Sequence, residues 1–259
     1  MYRNLAPIEK SVWEQIDSRA KEVFISILTA RKSVRVTGPK GSEYVAYNHG
    51  KLGELKEKKG ICFASYKVTP LVETRIEFKL NRWELDNAIR GDKNIDFSNL
   101  EDAVKKVALF EECAIYEGLP EGNIRGLLEV AEMPLKLGNT ESSIKKCIAD
   151  GVIKLRNAFV LGKIDLIVSQ ELYTKLWSIE SQTPLIKALE DMIGGSIVES
   201  EVMKGAILIP HNNENLDLEL GEDFSLGYQE HDAKEITFFI KESFAFHILD
   251  DKLIVKFVE

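Results

Sequence analysis

The chain has 259 residues, 44% of them hydrophobic and 29% charged, with a formal net charge of −8. That length suits one large domain or two intimate ones, and the apolar fraction excludes wholesale disorder. An acidic chain also argues against a general nucleic-acid binder, which would present a basic field.

The charge is uneven. Residues 199–235 hold ten acids and two bases, a net of −8, so the remainder balances at 32 against 32. Residues 1–40 lean the other way, with eight bases and four acids. The longest purely apolar runs, such as Ala206 to Pro210, fall far short of the roughly 20 residues of a membrane span. Met1 to Pro7 has no apolar signal core. Cys62, Cys113 and Cys147 are too scattered for a disulfide framework or a CxxC metal site. These features predict a reduced, cytoplasmic setting.

In chain order, the first predicted element is a helix over about Ile8 to Ala30. Val12, Trp13, Ile16, Ala20, Val23, Phe24, Ile27 and Leu28 recur at helical spacing. Ser11 and Glu14 fit a capping box. That stripe either packs on its own core or leaves part of itself as a docking groove. Short strands follow at Ser33–Thr37 and Glu43–Tyr47, with a Gly38-Pro39-Lys40-Gly41 turn between them. A charged, glycine-bounded segment, 53–60, precedes Ile61–Val68. Leu71–Leu80 then alternates apolar and charged residues. Together these predict a long two-stranded arm that rests on something outside the local fold, since a lone hairpin is marginal.

Ser98 to Glu117 reads as a second long helix, and Thr140 caps a third. From Lys163 the pattern becomes α/β: strand Ile164–Ser169, helices Glu171–Trp177 and Pro184–Ile193, strands Ile197–Val202 and Ala206–Pro210. The C-terminal part is β-rich, with strands at Phe224–Tyr228, Glu235–Lys241, Phe244–Leu249 and Leu253–Val258.

A catalytic site is not legible. There is no P-loop, GxGxxG, HExxH or GxSxG. His49, His211, His231 and His247 are isolated in sequence; His211 and His231 read as solvated, His247 as a satisfied structural residue. Glu111-Glu112 and Asp250-Asp251 are adjacent, and neighbouring side chains on one element do not converge.

The order of elements resembles the encapsulins, nanocompartment shell proteins once described as linocin- or maritimacin-type bacteriocins. The stretches that carry the likeness are Leu5-Ala-Pro with Trp13-Glu-Gln-Ile-Asp and Arg19-Ala20, Ala30-Arg31-Lys32 with Gly38-Pro39, and Pro70-Leu-Val-Glu-Thr-Arg75. Trp83-Glu-Leu-Asp-Asn87, Asn99-Leu-Glu, Gly126-Leu-Leu, Asp223-Phe-Ser-Leu-Gly-Tyr228 and Glu242-Ser-Phe-Ala-Phe246 continue it. It runs essentially end to end.

The resemblance implies an α+β, tailed-phage major-capsid-like fold. Residues 1–42 would form a cargo-facing helix and first strand, 43–80 the extended loop, and 81–132 a peripheral domain with the spine helix. Residues 133–220 would form the axial domain and 221–259 the strands returning to the periphery. It also implies a non-enzymatic role: about sixty copies close an icosahedral shell around a guest held by its C-terminal targeting peptide. The guest would be a ferritin-like iron oxidase, giving an iron-storage role, or a dye-decolourising peroxidase. Val23, Phe24, Ile27, Leu28 and Arg31 would form one wall of the peptide groove, and Phe224, Leu226 and Tyr228 the other. Ser178, Ile179, Glu180, Ser181, Gln182, Thr183 and Pro184 would lie near the five-fold pore. Arg75 and Trp83 occupy positions where some members hold a flavin (FMN). No membrane or nucleic-acid partner is expected. The competing readings are a prophage major capsid protein, which packages DNA, and a bacteriocin or protease.

Overall fold

The computed structural model describes residues 1–131, 134–179 and 183–258. Its helices are α1 (Lys10–Ile27), α2 (Arg82–Ile89), α3 (Ser98–Tyr116), α4 (Leu127–Val130), α5 (Glu141–Asn157), α6 (Gln170–Ser178) and α7 (Leu185–Ile193). They pack against two sheets.

The four-stranded sheet is built on one long hairpin, Leu216–His231 with Glu235–Ile248. Val72–Asn81 pairs antiparallel along one edge of the hairpin, and Arg35–Thr37 pairs parallel along the other. Glu235–Ile248 is a single strand where the sequence predicts two. Its first half places Ile236, Phe238 and Ile240 against α1 and α3. Its second half places Phe244, Phe246 and Ile248 in a separate core with Ile115, Tyr116 and Leu218. The partner strand changes cores too, and its register shifts between Leu220 and Ser225. Gly221 sits inside that irregularity. A Cβ there would stand 2.5 Å from Ser243 Oγ and 2.9 Å from the Tyr44 carbonyl, so a side chain is excluded. Such bulges bend a strand and re-aim its side chains.

The five-stranded sheet runs Gly194–Ser200, Ile164–Ser169, Ala206–Pro210, Val255–Val258, Leu135–Lys136. Ile207 and Ile209 enter the core shared with the hairpin, while Ala206 and Leu208 enter the core under α5 and α7. Coverage on both faces explains why this strand reads as an unbroken apolar run.

Four expectations change. The arm does not continue to Leu80 as a two-stranded unit. Ala46–Leu52 pairs with Tyr66–Pro70, a second small hairpin, Lys56–Lys58 with Ile61–Phe63, forms farther out, and Val72–Asn81 belongs to the body. The closing strand Val255–Val258 does not return to the hairpin sheet; it pairs with Ala206–Pro210 in the other sheet. The Ser11–Glu14 capping box is absent, since α1 is capped at Glu9 without a side-chain bond. Helix α2 is an addition, started by Asn81, whose side chain accepts from the Trp83 N–H at 2.8 Å.

Candidate functional site

The bulge in the hairpin faces α1, and between them lies an open groove of about 740 Å³. Ala20, Phe24 and Leu28 form its helix wall, with Asp17 one turn earlier and Arg31 just beyond the helix. Their spacing of three and four residues keeps them on one stripe. The facing wall is Asp223, Phe224, Ser225 and Leu226. Phe24 and Phe224 stack across it, centroids 4.2 Å apart at 19°. The N-terminal residues close one end. The Tyr228 N–H donates to the Met1 carbonyl at 3.0 Å, and Arg3 Nε donates to the Leu226 carbonyl at 2.9 Å. Arg3 also holds Asp17 in a two-pronged bond, both contacts 2.7 Å.

Arg31 fixes the opposite end. Its guanidinium lies 4.9 Å from the Phe224 ring centroid and binds Glu111 at 2.5 Å, Glu242 at 2.6 Å and Asp223 at 2.9 Å. The Glu111 and Glu242 side chains are wholly buried. Burial opposes the charge on Arg31, yet the hydrogen bonds and charges of its carboxylates hold its pKa above the ordinary arginine value. Glu242 is pushed well above the carboxylate range, first by burial and then by the charge of Glu111 and a hydrogen bond with it. One guanidinium thus holds two buried carboxyl groups, of which Glu242 is pushed towards its protonated form.

Glu111 and Glu112 diverge, as their adjacency predicts. Glu112 turns to Thr29 and accepts the Ala30 N–H at 2.8 Å. Burial pushes it up to about 7, against those hydrogen bonds. These contacts join α3 to the end of α1, so the helix wall of the groove is braced from below.

Five of the eight expected groove residues line it: Phe24, Leu28, Arg31, Phe224 and Leu226. Val23 and Ile27 turn away and pack against the α1/α3 core. Tyr228 is buried, its hydroxyl 2.6 Å from His231 Nδ1. The other nine lining residues, Met1, Arg3, Asp17, Ala20, Lys21, Ile25, Lys32, Asp223 and Ser225, are not among the expected ones. Lys21 and Ile25 follow from the helical stripe; Met1 arrives through the Tyr228 backbone bond and Arg3 through its side-chain bonds to Leu226 and Asp17, with no local signal.

Trp83 is exposed in the first turn of α2. The Arg75 guanidinium lies 3.8 Å over Phe239 and donates to Gln229 at 2.6 Å. Arg75 lies six strand steps, about 20 Å, before Asn81 at the end of the same strand. Glu180, Ser181 and Gln182 lie outside the described residues; Ser178 ends α6, and Ile179, Thr183 and Pro184 flank the approach to α7.

The histidines differ from their sequence reading. His211 is paired, with Nδ1 2.7 Å from Asp165 Oδ2, and His247 Nε2 is buried without a hydrogen-bond partner. Among the described residues no group of three or more His, Cys, Asp or Glu is placed to hold a metal ion, and no helix is long and apolar enough to cross a membrane.

The family model described as "Encapsulating protein for peroxidase" matches residues 1–245. The chain belongs to this encapsulin family. It is 30% identical over 249 residues to the type 1 encapsulin shell protein of Mycolicibacterium paratuberculosis, covering 95% of this chain and 94% of that one. The virus-like particle of Pyrococcus furiosus superposes with a TM-score of 0.68 at 17% identity, covering 93% and 97% of the two chains. The capsid of Myoviridae phage XM1 does so at 0.60 and 12% identity, covering 88% and 90%. The last two show the fold alone, which is the capsid-like α+β fold that the resemblance implied. The expectation of a structural protein rather than an enzyme agrees with the encapsulin relative's name.

Proposed function

We propose that this encapsulin closes, in about sixty copies, into an icosahedral shell and holds a guest protein through a short C-terminal peptide seated in the α1–hairpin groove. The groove carries the reading. It is apolar along its floor, open along its length, and framed by residues fixed from both sides, as recognition of an extended peptide with a few apolar anchors requires. Modest affinity per groove suffices, because a multimeric guest engages several subunits at once. The family description favours a peroxidase as the guest; a ferritin-like iron oxidase, with iron storage as the result, is the other class. Ser178, Ile179, Thr183 and Pro184 stand at the rim of a pore that passes ions and small substrates.

The test is co-production of the shell with each guest, followed by electron microscopy and mass spectrometry of the particles. Closed hollow particles with one retained guest are expected. Phe24→Asp removes the stacked pair with Phe224 and puts a charge in the groove. Assembly should persist while guest retention drops at least tenfold. Unchanged loading would reject the groove.

A further inference from the structure

The long hairpin has an open edge beside the groove. Arg35–Thr37 pairs with Leu216–His231 only as far as Glu219, and the Lys40 and Gly41 N–H groups extend the cover to the Leu220 and Gly221 carbonyls. Beyond Gly221 no strand lies along that edge among the described residues. Residues 1–5 sit there instead. The Met1 carbonyl accepts from the Tyr228 N–H at 3.0 Å, and Arg3 Nε donates to the Leu226 carbonyl at 2.9 Å. One residue of a parallel strand added opposite Gly227 would make the same pair of bonds. The segment thus stands in for an edge strand, with a side-chain donor in place of a backbone N–H.

It is lightly held. None of residues 1–5 is buried, and Tyr2 and Leu5 are 68% and 62% exposed. The fork from Arg3 to Asp17 joins side chains 36% and 42% exposed, where water competes with the pair. Tyr2 has φ 55°, a left-handed conformation that is costly for a bulky side chain. Apolar packing on the α1/α3 core begins only at Ala6 and Ile8. Swinging residues 1–5 outward would uncover one core ring, Trp13, on which the Arg3 guanidinium lies at 4.3 Å.

We infer that residues 1–5 are a displaceable strap. A guest peptide entering the groove lifts them, pairs with the strand edge at residues 226–228 and packs an apolar side chain on the uncovered Trp13. The inference rests on the groove being the guest-peptide site and adds how that site is closed when empty. Backbone bonds to an edge add affinity that is indifferent to sequence, so selectivity stays with the side chains around Phe24 and Phe224. A strap that must open also lowers the apparent affinity by the fraction of time it is open. Loosening it therefore raises loading, whereas loosening a fixed wall of the groove would lower it.

The experiment uses the full-length shell co-produced with a limiting amount of a small fluorescent protein. The reporter ends in an extension of about eight residues with leucine at alternate positions. Hydrogen–deuterium exchange of loaded and empty particles is read by mass spectrometry. The Leu5 and Ala6 amides, bonded to the Tyr2 and Arg3 carbonyls in the closed strap, should exchange at least threefold faster on loading. Residues 226–228 should exchange more slowly. Arg3→Ala removes the fork and the Leu226 bond together, and its shells should retain at least threefold more reporter. Should that variant not assemble, Asp17→Asn breaks the same fork. Slower or unchanged exchange at Leu5 and Ala6 on loading, or unchanged or lower retention in the strap variant, would overturn the strap while Phe24→Asp still abolishes loading. A reporter that never loads, or loads regardless of Phe24→Asp, would remove the groove reading and this inference with it.

Discussion

The arm and the body start from the same kind of sequence and end differently. In the body, Val72–Asn81 alternates apolar and charged residues, and its inner face reaches full burial at Phe78 and Leu80. In the arm, Leu52, Leu55, Ile61, Phe63, Tyr66 and Val68 all stay about half exposed or more. The chemistry of the side chains does not distinguish them. The body strand has the long hairpin to pair with and α1 and α3 to cover it, and the arm has neither. A large exposed apolar surface marks a contact still to be made. If that contact is a neighbouring copy, an arm folded over it would also protect open strand edges.

The largest expected effect breaks the comparison on the arm side. Leu52→Glu, Tyr66→Glu and Val68→Glu together should abolish particles and leave folded, soluble subunits. Size-exclusion chromatography with light scattering reads the first, and circular dichroism the second. Intact particles from this triple variant would show that the arm is not the contact. The next breaks the body side. Arg31→Met leaves Glu111 and Glu242 buried without their cation, a loss of about 3–5 kcal/mol. Denaturant unfolding of the dissociated subunit measures it. Adding Glu111→Gln and Glu242→Gln should recover part of the loss, because the carboxylates then no longer need neutralising.

The same comparison explains what the sequence could show. The period of α1 marks the stripe that carries Phe24 and Leu28, while Arg31, beyond the helix end at Ile27, is named only through the family resemblance. The facing wall depends on a register shift near Gly221 that periodicity does not encode, so Tyr228 was placed in the groove although the strand buries it. Alternation in Leu71–Leu80 was read as more arm because period two reports a half-covered strand without naming what covers it. Val255–Val258, which the resemblance implies returns to the periphery, instead pairs with Ala206–Pro210, about fifty residues away, and strand pairing at that range leaves no local mark. Helix α2 went unseen because RWELDNAI carries one buried leucine and one buried alanine, too few for a stripe. The end-to-end family resemblance supplied the fold where local patterns did not.

The smallest expected effect lies where arm and body meet. Tyr47, in the first arm strand, stacks on His247 of the body hairpin, centroids 4.0 Å apart. His49 stands 5.7 Å from the same ring and is tied to Thr69 across the arm at 2.8 Å. Around the imidazole are also the Lys40–Glu219 ion pair, Tyr44 bonded to Glu219, and Asp217, its cross-strand partner. Burial, then the nearby His49, pushes His247 down to about 4; Glu219 acts the other way, and Lys40 adds to the depression. A histidine whose folded pKa is lowered stays neutral in the fold while the unfolded chain, near 6.5, takes up the proton. Stability from the neutral ring is therefore complete above about pH 6.5 and is lost as pH falls towards 4, by at most about 3 kcal/mol. His247→Phe keeps a ring for Tyr47 to stack on and removes the titration. Its unfolding curves should be flatter than those of the parent between pH 6.5 and 4. If acid acts through this joint, limited proteolysis should also cut the parent arm faster at pH 4.5 than at pH 7, and the variant arm equally at both. An identical pH dependence in the two proteins would locate the acid sensitivity elsewhere in the body and separate the arm's anchoring from His247.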